Sequence, residues 1–272
     1  MENSGALVSV RRILLLSDYG DDGFAHAAIL GAIYRTFPNA LVNTISHSIT
    51  PLAVREAAFT LAYAAPEFPE GTIFCVLVDP DSEADLGCIA AESVNGLHFV
   101  APNNGVLTFA LDALGCRAVY LIEGTTRAAS GFRGRDALAP VAARLACGDA
   151  LERIGVKVTD WARLSEPIQR AGPGWVAGEI ALRSAVGDLF STITEDLLKQ
   201  AGLAVGDKVL IQIADRSLSA TLVRSYHDVP LGACLCRVNY QGFLELAIHG
   251  GNLTQVIEQP MSKLVEIRAS RY

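Results

Sequence analysis

Phe99-Val100-Ala101-Pro102-Asn103-Asn104-Gly105-Val106-Leu107-Thr108 is an apolar, strand-like run that halts in two adjacent amides and restarts as a helix. Pro102 and Gly105 set a sharp connection, and each Asn side chain carries two donors and an acceptor. In isolation the stretch reads equally well as an ordinary strand-to-helix turn. Its weight comes from recurrence, because three more apolar, β-prone runs in the same half of the chain end in polar loops. Ile13–Leu16 enters Ser17-Asp18-Tyr19-Gly20-Asp21-Asp22, and Thr72–Val78 enters Asp79-Pro80-Asp81-Ser82. Ala118–Ile122 leads through a loop to Phe132-Arg133-Gly134-Arg135-Asp136. Loops at the carboxyl ends of strands in an open α/β sheet converge on one crevice, so these polar groups are expected to meet.

Working outward, strand-type and helix-type segments alternate. Helices are expected at Phe24–Thr36, Pro51–Ala64, Leu107–Leu114 and Asp136–Ala146, with further strands at Leu41–Ile45, Ile73–Val78 and His98–Val100. This pattern predicts an α/β domain over residues 1–168, a mainly parallel sheet with flanking helices. Around residues 165–176 the texture turns Pro/Gly-rich and reads as a linker. Beyond it, Trp175–Leu182, Lys208–Ile213, Leu218–Val223, Ala233–Asn239 and Leu244–His249 are short β-type segments separated by turns. They predict a smaller, mostly antiparallel β-barrel or sandwich over residues 172–272.

Composition narrows the function classes. The 272 residues are 51% hydrophobic and 19% charged, with a mean hydropathy of +0.32, the balance of a chain that builds a substantial core. A net charge of −7 without a basic run disfavours nucleic acid or an anionic membrane as partner and favours small molecules. No signal-peptide pattern opens the sequence and no apolar run is long enough for a bilayer, so a cytoplasmic location is expected. Six cysteines are too sparse for a disulfide framework. Cys75, Cys88, Cys116 and Cys147 read as packed thiols, and Cys234-Leu235-Cys236 lacks a second Cys/His pair at zinc-like spacing. The histidines are scattered, and no metal site is expected. G-x-G-x-x-G, G-x-x-x-x-G-K-[ST] and G-x-S-x-G are absent, which removes most support for dinucleotide, P-loop and α/β-hydrolase chemistry.

Asp18, Asp21 and Asp22 crowd three carboxylates after the first strand. They suit a hard cation, a carboxylate gripping two ribose hydroxyls, or capping of the next helix. Phe132–Asp136 offers two guanidinium groups at a helix start, where Asp136 also serves as a plain cap.

Taken in order, these blocks resemble the S-adenosylmethionine hydroxide adenosyltransferases, relatives of the fluorinase and chlorinase. The similarity also takes in Ser46-His47-Ser48-Ile49, Val54-Arg55-Glu56-Ala57-Ala58, Phe68–Thr72, Gly134–Pro140, Gly178-Glu179-Ile180 and Gly187-Asp188-Leu189, and Ala101–Thr108 is its most specific element. The resemblance implies an adenosyl group bound at a subunit interface, usually in a trimer, with a nucleophile displacing methionine from ribose C5′ and S-adenosylmethionine as substrate rather than cofactor. It implies Asp18 on the ribose hydroxyls and Asp79 at the attacking water. Asp22, Asn103, Asn104, Gly134, Asp188, His249 and Asn252 are the other implied substrate-binding positions. The family's Arg position reads Leu86, and its His position reads Arg133. Arg133, made catalytic by that placement, is expected to bring its cation to Asp79 from a different loop, although a guanidinium cannot act as a base. The second domain's usual Gly-Asn reads Gly187-Asp188, and Gly134 with the absence of an inserted loop speaks against fluorination.

Three functions therefore stand open: cleavage of S-adenosylmethionine or an analogue, with water giving adenosine and methionine; nucleoside binding without hydrolysis, or transfer to another nucleophile; and, from the aspartate cluster alone, a calcium-dependent nucleoside hydrolase.

Overall fold

The computed structural model describes residues 11–20, 23–79, 87–125, 132–258 and 260–270. The chain divides into two compact units, Met1–Leu164 and Ser165–Tyr272.

In the first unit the elements run β1 (Arg12–Leu16), α1 (Phe24–Thr36), β2 (Leu41–Ser46), α2 (Val54–Ala64), β3 (Ile73–Val76), β4 (Cys88–Ser93), β5 (His98–Pro102), α3 (Thr108–Leu114), β6 (Cys116–Ile122), α4 (Ala139–Cys147) and β7 (Gly155–Val158). Among the described residues seven strands form one sheet in the order β2-β1-β3-β5-β4-β6-β7. The pairs β1–β2, β1–β3 and β3–β5 are parallel. β4 and β7 run against their neighbours, so five strands share one direction. Ile13-Leu14-Leu15-Leu16 has no polar face because β1 is covered on both sides. Ile13 and Leu15 pack in the core with Ile29, Ile33 and Leu145 from α1 and α4. Phe74 stacks on Phe99 at 5.2 Å and Phe59 on Phe109 at 4.5 Å.

The strand order fixes where a ligand can sit. From β1 the chain steps to β2 on one side and then to β3 on the other, so the topological switch lies between the carboxyl ends of β1 and β3. Asp18 follows the first strand and Asp79 the second. Leu77 N donates to Leu16 O at 2.8 Å, which carries the alignment of the two strands past their ends.

The second unit comprises β8 (Gln169–Gly172), β9 (Trp175–Arg183), β10 (Leu189–Thr194), α5 (Glu195–Ala201), β11 (Lys208–Ile213), β12 (Arg216–Leu222), β13 (Cys234–Val238), β14 (Phe243–Ile248) and β15 (Leu264–Ala269). The run β10-β14-β13-β12-β11-β15-β9 closes through β9–β10 pairing into a seven-stranded barrel, and β8 extends it as a hairpin on β9. Only β12–β13 is parallel among the described pairs. Val209, Ile211 and Ile213 alternate into the barrel core, as a period of two requires.

Several local readings differ from the fold. The helix expected from Pro51 begins at Val54, because Leu52 takes the left-handed conformation, φ +66°, and breaks the helical path. The expected helix over Asp136–Ala146 opens as a π-helical turn, Gly134–Leu138, before α4. Part of the expected Pro/Gly linker is strand, since Gln169–Gly172 hydrogen-bonds to β9. Cys116 and Cys147 are exposed rather than packed: Cys116 begins an edge-facing strand end and Cys147 closes the last turn of its helix. No helix among the described residues is long and apolar enough to cross a membrane.

Candidate active site

The aligned ends of β1 and β3 form the floor of a cavity of about 380 Å³ lined by Asp18, Tyr19, Pro51, Leu52, Leu77, Asp79, Phe132, Arg133 and Gly134. That volume falls in the range used for small ligands, roughly 300–1,000 Å³. Asp18 is held by Leu52, whose backbone N–H donates to its Oδ2 at 2.8 Å. The strained backbone of Leu52 thus turns a donor onto the carboxylate. Behind Asp18, Ser17 Oγ lies 2.6 Å from His47 Nδ1, and His47 Nε2 lies 3.0 Å from Thr44 Oγ1. Gly20 N donates to His47 O at 2.9 Å, so the loops after β1 and β2 are knitted together beneath the cavity.

Arg133 enters from the segment before α4. Its side chain is 2% exposed, and Nη1 lies 3.3 Å from Asp79 Oδ2, itself 12% exposed. A cation so withdrawn from water needs such a partner. The pair's field reaches Cys88: burial pushes that thiol up to about 12, against the lowering pull of Arg133, with Asp79 raising it further. Burial, followed by the charge of Asp18, holds the Tyr19 phenol above its ordinary value and therefore protonated. Gly134 admits this packing, since a Cβ there would stand 2.8 Å from Tyr19 Oη and 3.3 Å from Ile29 Cδ1.

The Asn-Asn turn buttresses the site from the protein side. Asn104 Nδ2 donates to Val78 O at 3.0 Å, fixing the residue before Asp79, while its Oδ1 accepts from Val106 N at 3.2 Å. Asn103 Oδ1 accepts from Ala162 N at 2.8 Å. Asp22, like Asp21, Pro80, Asp81, Ser82 and Leu86, lies outside the described residues.

The remaining candidates belong to the second unit. Gly187, at φ +96°, sits where a Cβ would fall 2.0 Å from Asn252 Oδ1, so the loop bearing Asp188 closes directly on Asn252. Asn252 Oδ1 accepts from Thr254 N and Oγ1 at 2.9 and 2.6 Å. Asp188 lies 3.0 Å from the Tyr226 hydroxyl, which also bonds Glu245. His249 Nδ1 lies 2.8 Å from Val229 O, with its ring edge-on to His227 at 5.2 Å. Leu52, Tyr226, Glu245 and Arg237 escaped the sequence reading. Glu245 and Arg237 left a signal, each as a charge within an apolar strand, Phe243–Ile248 and Cys234–Val238.

Comparison with known proteins accords with this geometry. Models of the SAM hydroxide adenosyltransferase N-terminal and C-terminal domains match residues 13–155 and 186–266. The chain belongs to the SAM hydroxide adenosyltransferase family. An (R)-S-adenosyl-L-methionine hydrolase from Salinispora arenicola is 32% identical over 92% of this chain and 95% of its own. A fluorinase from Actinopolyspora mzabensis is 27% identical over 89% and 91%. The crystal structure of a conserved protein from Thermotoga maritima superposes with a TM-score of 0.86 at 30% identity, covering 94% of this chain and 99% of that one.

Proposed function

We propose that the protein cleaves S-adenosyl-L-methionine at ribose C5′, water displacing methionine to give adenosine. The observation that carries this reading is the Asp79–Arg133 pair facing Asp18 across one cavity at the sheet's switch point. Asp18 accepts from the ribose hydroxyls, Asp79 orients the attacking water, and Arg133 holds Asp79 in place. Asn103 and Asn104 act by fixing the loop, and Gly134 by leaving room for the ligand. Among the described residues, two carboxylates against one guanidinium leave the lining with one negative charge, which suits a sulfonium and is lost as attraction once the neutral thioether departs. Alignment and exclusion of bulk water then supply most of the acceleration.

Asp188, His249 and Asn252 complete the nucleoside contacts, and the active form is a cytoplasmic homotrimer with its site at a subunit interface. The reaction uses no metal or cofactor. The test is incubation of purified protein with S-adenosyl-L-methionine in chelator-treated buffer, with adenosine and methionine followed by chromatography. Equal release of both, abolished in Asp79→Ala, is expected. Adenosine binding without turnover would replace this reading with a binding role or a different nucleophile. Activity lost to the chelator would revive the calcium-dependent nucleoside hydrolase.

A further inference from the structure

The Tyr226 hydroxyl has one proton to donate, yet it lies within hydrogen-bond reach of two carboxylates, Oδ2 of Asp188 at 3.0 Å and Oε1 of Glu245. Both acids are withdrawn from water, Asp188 being 8% and Glu245 3% exposed. With both ionised, one carboxylate oxygen would face the phenol's lone pairs with no proton between them, and two anions would share one dry pocket. Like charges so placed force one acid to keep its proton. Arg237 selects which. Its Nε stands 3.2 Å from Glu245 Oε2, and its guanidinium lies 5.0 Å over the Tyr226 ring, so the cation serves Glu245. Asp188 instead has its own backbone N–H donating to Ser184 Oγ at 3.0 Å.

We propose that Asp188 is held as the neutral acid at neutral pH, donating its proton to Tyr226 while Tyr226 donates to Glu245, so that this loop reads the nucleoside with an uncharged group. The relay runs Asp188 Oδ2–H to Tyr226 Oη, Tyr226 Oη–H to Glu245, and Arg237 Nε–H to Glu245, with the Ser184 hydroxyl also bonded to the Asp188 carboxyl. The other Asp188 oxygen is then a carbonyl acceptor for a hydroxyl or amine. The groups facing Asp188 are Tyr226, Glu245, Ser184 and Arg237. Burial is the largest influence and pushes its carboxyl upward. The Tyr226 bond opposes this, the Glu245 charge adds to it, and Ser184 and Arg237 oppose it more weakly. The backbone before Asp188 is closely packed, a Cβ on Gly187 meeting Asn252 at 2.0 Å. The nucleoside-reading role rests on the function proposed above, whereas the protonation state does not.

The sign of the pH effect follows from linkage. A carboxyl whose folded pKa exceeds its unfolded value contributes stability that is complete below the unfolded value and is lost as pH rises through the folded one. Thermal unfolding of the wild type and Asp188→Asn between pH 5 and 9 tests this, because the amide donates to Tyr226 at every pH. The melting temperature of the Asn variant should gain on the wild type as pH rises, by roughly 3–5 °C for each pKa unit of elevation. A constant gap, or an Asn variant that falls behind at high pH, would overturn the proposal. Infrared spectra of the wild type need no variant to fold: a protonated-carboxyl band should be present at pH 7 and vanish on alkalisation, and its absence at pH 7 refutes the proposal. Adenosine affinity of the wild type should fall between pH 6 and pH 9 as Asp188 ionises, whereas that of Asp188→Asn should show no such fall; an equal fall in both would count against the proposal. Failure to turn over S-adenosyl-L-methionine would leave the melting and infrared results standing, while a flat pH response with turnover intact would sink this proposal alone.

Discussion

The Asp79–Arg133 pair makes a quantitative prediction about stability and chemistry together. At 3.3 Å two unit charges attract by about 5 kcal/mol at an effective dielectric of about 20. Burying the guanidinium offsets much of that, yet removing one partner strands the other, which typically costs about 3–5 kcal/mol for a buried pair. Asp79 opens onto the cavity, where water recovers part of the loss, so Arg133→Met and Asp79→Asn should each cost about 2–4 kcal/mol. Making both changes leaves no stranded charge. The double variant should therefore be more stable than the sum of the singles implies, with a coupling of about 2–3 kcal/mol. Urea unfolding followed through Trp161, which lies in the same unit, measures all four proteins. Additivity within about 0.5 kcal/mol would show that the two side chains do not share an environment, and the reading of Asp79 as an Arg133-held group would fall. In turnover the expected pattern differs: the Asp79→Asn and double variants lose activity alike, whereas Arg133→Met still binds adenosine and turns over about 10²-fold more slowly, the cost of a misplaced reacting group.

Asp18→Asn keeps an acceptor for Leu52 N but loses the charge-assisted bonds to a ribose diol, so adenosine should bind about 10–100-fold more weakly by calorimetry; unchanged affinity would remove Asp18 from the ligand. Gly134→Ala drives a methyl to 2.8 Å from Tyr19 Oη, and the displaced phenol should narrow the cavity, at a stability cost of about 1–3 kcal/mol, with KM rising more than kcat falls. Wild-type KM together with wild-type stability would mean that Tyr19 does not wall the ligand space.

The sheet was legible because its central strands are apolar on both faces: Ile13–Leu16 and Ile73–Val78 cannot be anything but buried, and the helices between them carry a clear period. β4 was not legible, since Cys88-Ile89-Ala90-Ala91-Glu92-Ser93 holds one β-branched residue and takes its conformation from β5 and β6 on either side. β10 and β15 escaped although Leu189–Thr194 and Leu264–Ala269 hold β-prone residues, because each is short and only closure of the barrel gives it partners. In the site, Asp18, Asp79 and Arg133 announced themselves as charges at strand and helix ends. Leu52 gave no sign, because its contribution is a backbone N–H presented from a left-handed turn. Asp188 reads in sequence as a gained charge; on the proposal above, its burial beside the charge of Glu245, which no local pattern announces, is what keeps it neutral.

Arg133 standing where the resemblance implies a histidine changes less than it first suggests. If, as the resemblance implies, the family's cation belongs at position 86, which here carries leucine, then Arg133 supplies a cation beside Asp79 from another segment and preserves the local charge balance. What is missing is a neutral base. For water attacking a carbon bound to sulfonium that loss is bearable, because the leaving group departs as a neutral thioether and needs no proton. The attacking oxygen becomes strongly acidic only as its bond to C5′ forms, and at that moment a weak base within hydrogen-bond reach suffices to take its proton. On the proposed function Asp79 is such a base, held by Arg133 on one side and, through Val78, by Asn104 on the other. An imidazole would quicken the transfer; the geometry that aligns oxygen, carbon and sulfur does not depend on it.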